Sequence, residues 1–332
     1  MNCNGCSVNT LTFDIRLTGE LNLSIIPIAI DYIERQGLDV LQKDNRLRMG
    51  EFAAREFLSF CQDLLETGLA EFRINQQSYQ PISEMNQVFD MEWIDDVIQN
   101  ERIVSHYQPI VDATGAVYAY EMLARFHGAD GQMIYPNAIF PAAKSRGRLY
   151  ALDRVCRMTA VRAAAKLSGE KAFINFIPTS IYSPEFCLRS TIELAHETGV
   201  DPKQLVFEVV ESEKVDDLEH LKRILGYYKS KGFQYALDDV GEGYSTAEVL
   251  DELRPHYMKL DMQYVQGVAT DTAKQTVAQS FLKKAQGVGS TPLAEGIENE
   301  EDFQWLKAQG YELFQGYYFG KPAAAPLEYK TV

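Results

Sequence analysis

Carboxylates recur where short apolar runs of the sequence end. The polar residues at these ends are Glu121, Asn175, Glu208, Asp238 with Asp239, Lys259, Glu295 and Gln315. A single carboxylate at the end of a strand is commonly a helix cap or a salt-bridge partner. Five on four run ends, joined by an amide and a lysine, are less easily explained in that way. Pointed at one place they would repel each other unless protonated or bound to cations. Such hard oxygen ligands favour Mg²⁺ or Mn²⁺, and the lack of His and Cys disfavours zinc.

The elements that would position these residues alternate between strands and helices from about Ile103 onward. The β-branched and aromatic runs predict strands at Tyr107–Val111, Val117–Leu123, Ala172–Phe176, Leu205–Val210, Phe233–Leu237, Tyr257–Leu260, Pro292–Ile297 and Leu313–Tyr318. Helical spacing separates them at Asp153–Leu167, Arg189–His196, Leu218–Lys231, Ala273–Gly287 and Asn299–Gln309. This order predicts an α/β fold, a modified (β/α)8 barrel of the TIM type, whose active site lies at the carboxyl ends of the strands. Only Asp112–Ala116 joins the first two strands, which is too short for a helical crossover, so the first strand must run antiparallel. These residues alone indicate a metal-dependent barrel hydrolase, with enolase-like chemistry as the alternative.

A different region precedes the barrel. Residues 1–82 have helical spacing at Ile25–Gln36 and Met49–Leu69, followed by a short strand or hairpin at Glu71–Ile74 and Gln77–Tyr79. We expect a small α+β or mainly helical domain, either a sensory or partner-binding module or a structural cap on the barrel. Residues 83–100 predict a linker helix, and residues 101–332 the barrel. Cys3 and Cys6 form a C-x-x-C pair without the second pair that a structural zinc site needs.

Composition narrows the class of protein. The 332 residues carry a formal net charge of −15, which argues against binding a nucleic-acid polymer. The apolar segment near Leu23 is broken by Pro27 and Asp31, so we expect no membrane span, and the N-terminus predicts no export signal. The five cysteines are an odd number, typical of reduced thiols in a cytoplasmic protein.

The run ends and their flanking residues resemble the EAL family, bacterial phosphodiesterases that open cyclic di-GMP to linear 5′-pGpG. The resemblance covers residues 101–322, and the matching segments fall in the order typical of the family. They are Tyr107–Val111, Glu121–Arg125, Phe173–Asn175, Phe207–Glu211, Ala236–Gly241 with Gly243–Ser245, Lys259–Asp261, Ala294–Glu298 and Gln315–Pro322. One tripeptide of this kind is weak evidence, whereas eight segments in order are specific.

The resemblance implies a role for each matching residue. Glu121, Asn175, Glu208 and Asp238 would bind the first of two Mg²⁺ or Mn²⁺ ions, and Asp239 would reach the second. Glu295 and Gln315 would hold the metals, their waters or the guanine end of the substrate. Lys259 would contact the bridging water or the scissile phosphate, and Arg125 would pair with a phosphate. Gln108 and Pro109 would contact substrate, and Glu211 would anchor the loop after the aspartate pair. The resemblance also implies a homodimer through the barrel.

The sequence departs from the family pattern mainly in that loop. Val240 replaces an aromatic residue and Glu242 adds a negative charge close to two implied metal ligands. Such changes leave two functions open. The first is an active phosphodiesterase. The second is a weak or inactive domain that binds cyclic di-GMP as an effector or regulates a protein partner.

Overall fold

The computed structural model describes Val8 and residues 10–75, 77–181, 183–209, 218–238 and 247–327. The chain forms two compact units. The first unit comprises residues up to Arg102 together with His127–Leu152, and the second comprises Ile103–Phe126 and the residues from Asp153 onward. The sequence predicts a single domain boundary near residue 101, which would put His127–Leu152, the inserted segment, in the barrel domain. That domain boundary stays a prediction.

The first unit is built around an antiparallel sheet. Its elements are β1 (Thr12–Leu17), α1 (Glu20–Arg35), β2 (Val40–Lys43), β3 (Arg46–Gly50), α2 (Glu51–Cys61), β4 (Ala70–Ile74), β5 (Gln80–Pro81), α3 (Met85–Asp90) and α4 (Trp93–Gln99). The strand order is β2-β3-β1-β4-β5, and each pairing is antiparallel. The first six elements follow the βαββαβ order of ferredoxin-like folds. This unit is therefore α+β, one of the two classes that the sequence allows.

Apolar and charged residues alternate along β1, so one face of the sheet is buried and the other is polar. Phe13, Ile15 and Leu17 of β1 are buried in the core of the unit, whereas Asp14 and Arg16 lie on the opposite face. Met49 belongs to β3, paired with Phe13, so the predicted helix over Met49–Leu69 is in fact the end of a strand followed by the shorter α2. The predicted linker helix is likewise two helices, α3 and α4.

The rest of the chain contributes nine strands and nine further helices among the described residues. They are β6 (Ile103–Asp112), β7 (Val117–His127), β8 (Met133–Ile134), α5 (Pro136–Ser145), α6 (Leu149–Ala164), β9 (Lys171–Phe176), α7 (Pro184–Cys187), α8 (Arg189–Glu197), β10 (Leu205–Val209), α9 (Leu218–Ser230), β11 (Gln234–Leu237), α10 (Ala247–Leu253), β12 (Tyr257–Leu260), α11 (Met262–Val265), α12 (Thr272–Val288), β13 (Thr291–Ala294), α13 (Glu300–Gln309) and β14 (Leu313–Gln315).

Eight of these strands close a barrel. The order is β6-β14-β13-β12-β11-β10-β9-β7, and β7 pairs back with β6. Strand β6 runs antiparallel to both neighbours, while the other pairings are parallel. The predicted fold class, a modified (β/α)8 barrel with an antiparallel first strand, is confirmed. Strand β6 is antiparallel to β7 because the short Asp112–Ala116 connection can only turn the chain back on itself.

The barrel interior contains an apolar layer to which each strand contributes one side chain. These residues, the apolar layer, are Ile110, Ala119, Phe173, Val206, Ala236, Tyr257, Leu293 and Leu313. A second and larger core lies between the strands and the surrounding helices. Because side chains two residues apart share a face of a strand, the residues two positions towards the barrel mouth form the next interior layer.

Cys61, Cys156 and Cys187 are thiols rather than disulfides. None of the helices within the described ranges combines the length and apolar character needed to cross a membrane.

Candidate active site

The next interior layer is the set of polar residues that the sequence singles out. Each member lies two residues from an apolar-layer residue of the same strand, and β6 contributes in the reverse direction because it runs antiparallel. This polar layer consists of Gln108, Glu121, Asn175, Glu208, Asp238, Lys259, Glu295 and Gln315. Asp238 and Glu295 follow the last strand residues, and their amides extend the ladder by bonding Val209 O and Leu260 O at 3.2 Å each. Eight strands thus place one polar group each at the carboxyl end of the parallel strands.

Glu121 is held by amides on both sides. Its Oε1 accepts a hydrogen bond from Asn175 Nδ2 at 2.8 Å, and its Oε2 accepts one from Gln315 Nε2 at 2.6 Å. Gln315 Nε2 also donates to Gln108 Oε1 at 3.2 Å, so β6, β7, β9 and β14 are joined by one chain of hydrogen bonds. Burial acts to raise the pKa of Glu121, but the Lys259 ammonium and the bonds from Gln315 and Asn175 outweigh it and hold the pKa below its usual value.

Lys259 lies among the remaining carboxylates. Its Nζ is 3.1 Å from Glu208 Oε1, 3.0 Å from Asp238 Oδ1 and 3.2 Å from Glu295 Oε2. Burial acts to lower the pKa of Lys259, but the charges of these carboxylates and of Glu121 raise it well above its usual value. Lys259 is therefore an ammonium in this arrangement.

Glu208 and Glu295 both have raised pKa values in this buried, negatively charged layer. Burial, with the charges of Glu121 and Asp238, raises the pKa of Glu208 well above its usual value despite the attraction of Lys259. Burial likewise raises the pKa of Glu295 to about 7. One ammonium faces four carboxylates, so the layer has an excess of negative charge when all are ionised.

This excess fits a divalent cation. Glu208 is completely buried. Its Oε1 is 3.1 Å from Lys259 Nζ, and its Oε2 has no hydrogen-bond partner among the described residues. Hard carboxylate and amide oxygens are the ligands that Mg²⁺ and Mn²⁺ prefer. Within the described ranges, no three His, Cys, Asp or Glu side chains already have the spacing of a metal site. The fit therefore rests on the donor chemistry and on Glu208 Oε2.

Two predicted site residues lie apart from the polar layer. Arg125 is four residues beyond Glu121 on the same face of β7, about 13 Å further along the strand, and its Nη1 donates to Ala124 O at 2.9 Å. Pro109 alternates with Gln108, so it faces the other side of β6, where it packs close to Gly320. Their contacts with substrate stay predictions.

Other predictions fall outside the described residues. These are Cys3, Cys6, Glu211, Asp239, Val240 and Glu242. The second metal ligand, the loop anchor and the two unusual loop residues are therefore known from the sequence alone.

Two glycines lie within the matching segments of the sequence without a role assigned to them, and each directly follows a site residue. A Cβ on Gly316, after Gln315, would lie 2.0 Å from Ile297 O, and a Cβ on Gly296, after Glu295, would lie 2.3 Å from Met262 Cβ. Both positions allow neighbouring loops to approach closely at the barrel mouth. The repeated pairing of a polar site residue with glycine was the signal in the sequence.

The closed barrel with its polar layer places the chain among modified (β/α)8 barrels, and comparison with known proteins specifies the family. The EAL domain family matches residues 91–322, and the chain belongs to it. The probable cyclic di-GMP phosphodiesterase PdeG of Escherichia coli is 32% identical over 234 residues, which are 68% of this chain and 45% of PdeG. The cyclic di-GMP phosphodiesterase PdeF of the same organism is 28% identical over 65% of this chain and 29% of PdeF.

A solved structure supports the same assignment. The standalone versatile EAL protein of Vibrio cholerae, in its c-di-GMP-bound form, is 37% identical with a TM-score of 0.59, over 67% of this chain and 93% of that chain. This chain spans less than half the length of PdeG and PdeF.

Proposed function

We propose that this chain hydrolyses cyclic di-GMP to linear 5′-pGpG with two Mg²⁺ or Mn²⁺ ions bound at the polar layer. The observation that carries the proposal is the buried layer of four carboxylates around one ammonium, above all Glu208, whose Oε1 has only Lys259 as a partner and whose Oε2 has no hydrogen-bond partner among the described residues. Membership of the EAL domain family and the names of its relatives support cyclic di-GMP as the substrate.

Glu121, Asn175, Glu208 and Asp238 would hold the first ion, and Asp239 would reach the second. When bound, such ions lower the pKa of a coordinated water and neutralise charge on the phosphoryl and leaving oxygens. Asn175 and Gln315 orient Glu121 through their amide hydrogen bonds, which fixes the directions of its two oxygens.

Lys259 would contact the attacking water or the scissile phosphate. Its ammonium, held between Glu208, Asp238 and Glu295, can donate hydrogen bonds to the attacking water or to a phosphate oxygen. Gln108, Pro109 and Arg125 are proposed to contact the substrate, Arg125 through a fork of N–H groups directed at phosphate. The homodimer, a partner or signal for the first unit, and a cytoplasmic location stay predictions from the sequence.

The experiment incubates the full chain with cyclic di-GMP and Mg²⁺ or Mn²⁺, follows 5′-pGpG by chromatography, and measures nucleotide binding by calorimetry. We expect product from the unchanged chain and a loss of at least about 100-fold in rate for Glu121→Gln. Glu312→Gln is the matched control, because Glu312 is exposed beside the other end of β14. Binding without product would replace the enzyme with a cyclic di-GMP effector. Neither binding nor product would leave a protein-interaction role.

A further inference from the structure

Asp153 is a buried carboxylate that holds the backbone just beyond Asn175. It lies on α6 and is 3% exposed. Its Oδ1 accepts a hydrogen bond from the Ile177 amide at 2.9 Å, and its Oδ2 accepts one from the Ser180 hydroxyl at 2.8 Å. Ile177 is two residues after Asn175, and Ser180 ends the 3₁₀ turn Pro178–Ser180. One side chain therefore fixes both ends of the short segment that follows β9.

The charge of Asp153 is balanced locally. Arg157 lies one turn further along α6, is 2% exposed, and places Nη2 at 3.6 Å from Asp153 Oδ2. A buried carboxylate is costly to desolvate, so it is retained where its hydrogen bonds fix a specific geometry or where it has a charged partner. Asp153 has both, since two bonds from the segment after β9 and one cation share its two oxygens.

Asn175 is sensitive to the direction in which the chain leaves β9. It is the penultimate residue of that strand, next to Glu208 in register, and its Nδ2 bonds Glu121 Oε1. A change in the backbone at Ile177 would rotate the strand end and move the amide oxygen that would face the metal. The outer partners of a metal ligand commonly set its orientation and the affinity of the site.

We propose that Asp153, with Ser180, is a positioning residue that orients Asn175 for metal binding. This inference rests on the proposed function, because it takes Asn175 to be a ligand of the divalent ion. Asp153 touches neither metal nor substrate, and acts through the segment from Ile177 to Ser180.

Asp302 provides a matched control. It is 1% exposed, and its carboxylate accepts two backbone hydrogen bonds, from Gly267 at 2.8 Å and from Ala269 at 2.9 Å. Its size and burial resemble those of Asp153, and its Oδ2 also accepts a bond from Asn299 Nδ2 at 2.8 Å. The segment from Gly267 to Ala269 that it holds does not adjoin Glu121, Asn175, Glu208 or Asp238, the proposed ligands of the first ion. Loss of Asp302 should therefore reproduce the general structural cost without the effect on the metal.

The test measures Mn²⁺ binding to the full chain by electron paramagnetic resonance, with thermal unfolding recorded in EDTA. We expect affinity for Mn²⁺ to fall about 10-fold in Asp153→Ala and about 3-fold in Ser180→Ala. Asp302→Ala should lower the unfolding temperature and bind Mn²⁺ like the unchanged chain. Ser180→Ala removes a single bond and decides the matter if Asp153→Ala does not fold.

Unchanged Mn²⁺ affinity in the folded Asp153 or Ser180 variant would overturn the positioning role and leave the proposed function intact. Equal losses of affinity in the Asp302 control would also overturn it, since the effect would then be general. Failure of the unchanged chain to bind Mn²⁺ would instead contradict the proposed function itself, and the inference with it.

Discussion

Glu208 places a fully buried carboxylate beside the Lys259 ammonium, which pairs with its Oε1 at 3.1 Å, while its Oε2 has no hydrogen-bond partner among the described residues. Burial of a charge without enough partners reduces the stability of the folded chain. The same oxygens would be satisfied by a divalent ion. We therefore expect Glu208 to be unfavourable for folding in the absence of metal and to bind the ion in its presence.

Glu208→Gln tests this opposition between stability and metal binding. The variant removes a buried charge without changing the size of the side chain. We expect its unfolding temperature in EDTA to equal or exceed that of the unchanged chain. Added Mg²⁺ should raise the unfolding temperature of the unchanged chain but not of the variant. An equal Mg²⁺-dependent rise in both proteins would show that Glu208 does not bind the ion.

Asp14 stabilises the first unit and, unlike Glu208, is a carboxylate that accepts several hydrogen bonds. Arg48 and Arg73 each donate two hydrogen bonds to it, at 2.6–3.1 Å. The bond from Arg48, aided by Arg73, holds the pKa of Asp14 below its model-peptide value of 3.8. The folded state therefore binds this proton more weakly than the unfolded state. Its contribution to stability is present above about pH 4 and is lost as the pH falls through the folded pKa.

Asp14→Asn should lower the free energy of unfolding by about 1–2 kcal/mol at neutral pH, a value reduced by the exposure of Arg48. The difference between the two proteins should disappear in acid, as measured by denaturant unfolding at several pH values. Asp31→Asn is the control, because Asp31 pairs with Arg35 in an exposed position. A difference for Asp14→Asn that persists unchanged well below pH 4 would refute this role for the charge.

At the scale of elements, the loops after β13 and β14 meet where glycine removes a side chain. Ile297 donates its amide to Gln315 O at 3.0 Å and accepts a bond from the Tyr318 amide at 3.1 Å. Gly316 lies beside these two hydrogen bonds, and a Cβ there would collide with the Ile297 backbone. The two strand ends that carry Glu295 and Gln315 are thereby fixed relative to each other.

Gly316→Ala should therefore destabilise the chain by about 1–3 kcal/mol and weaken Mg²⁺ binding through displacement of Gln315. Gly226→Ala is the control, since Gly226 lies within α9 with no atom near its missing Cβ. That change should stabilise the helix by about 0.5–1 kcal/mol. Thermal unfolding with and without Mg²⁺ measures both effects, and tolerance of Ala at 316 would contradict the close approach.

Most of the barrel could be predicted from the sequence because each strand is a β-branched run ending in a polar residue. In the first unit, β1 to β3 were missed because β1 and β3 contain charged residues such as Asp14, Arg16 and Arg48 between their apolar ones. The members of the polar layer were named from the run ends, but which of them bond one another depends on how the strands pair in the closed barrel. The bond between Asp153 and Ser180 joins residues 27 apart through packing of α6 near the end of β9, and its residues have no distinctive spacing.

At the scale of the whole molecule, the inserted segment belongs to the first unit although it interrupts the barrel sequence. Arg146 fixes it there. This side chain is 1% exposed, and it donates hydrogen bonds to Glu51, Asp95 and the Val88 carbonyl. The planar guanidinium makes five hydrogen bonds to these three groups, more than the three N–H donors of a lysine ammonium could make.

Arg146→Ala should cost about 3–5 kcal/mol, because it leaves carboxylates with fewer partners in a buried cluster. The effect should appear in hydrogen exchange as faster exchange across α2, α4 and α5, with little change in β9 to β13. Arg189→Ala removes an arginine whose pair with Glu193 is exposed, and it should alter stability by less than about 0.5 kcal/mol. Faster exchange centred on the barrel strands would contradict the assignment of Arg146 to the first unit.

We propose that the polar layer directs water at a phosphodiester bond with the help of divalent ions. The most direct measurement incubates the chain with cyclic di-GMP and Mg²⁺ in ¹⁸O-labelled water and determines the mass of the product. We predict linear 5′-pGpG with one ¹⁸O in its terminal phosphate, and none when EDTA replaces Mg²⁺ or when Glu208→Gln replaces the unchanged chain. Intact cyclic di-GMP after incubation with Mg²⁺, or equal cleavage in EDTA, would contradict the claim.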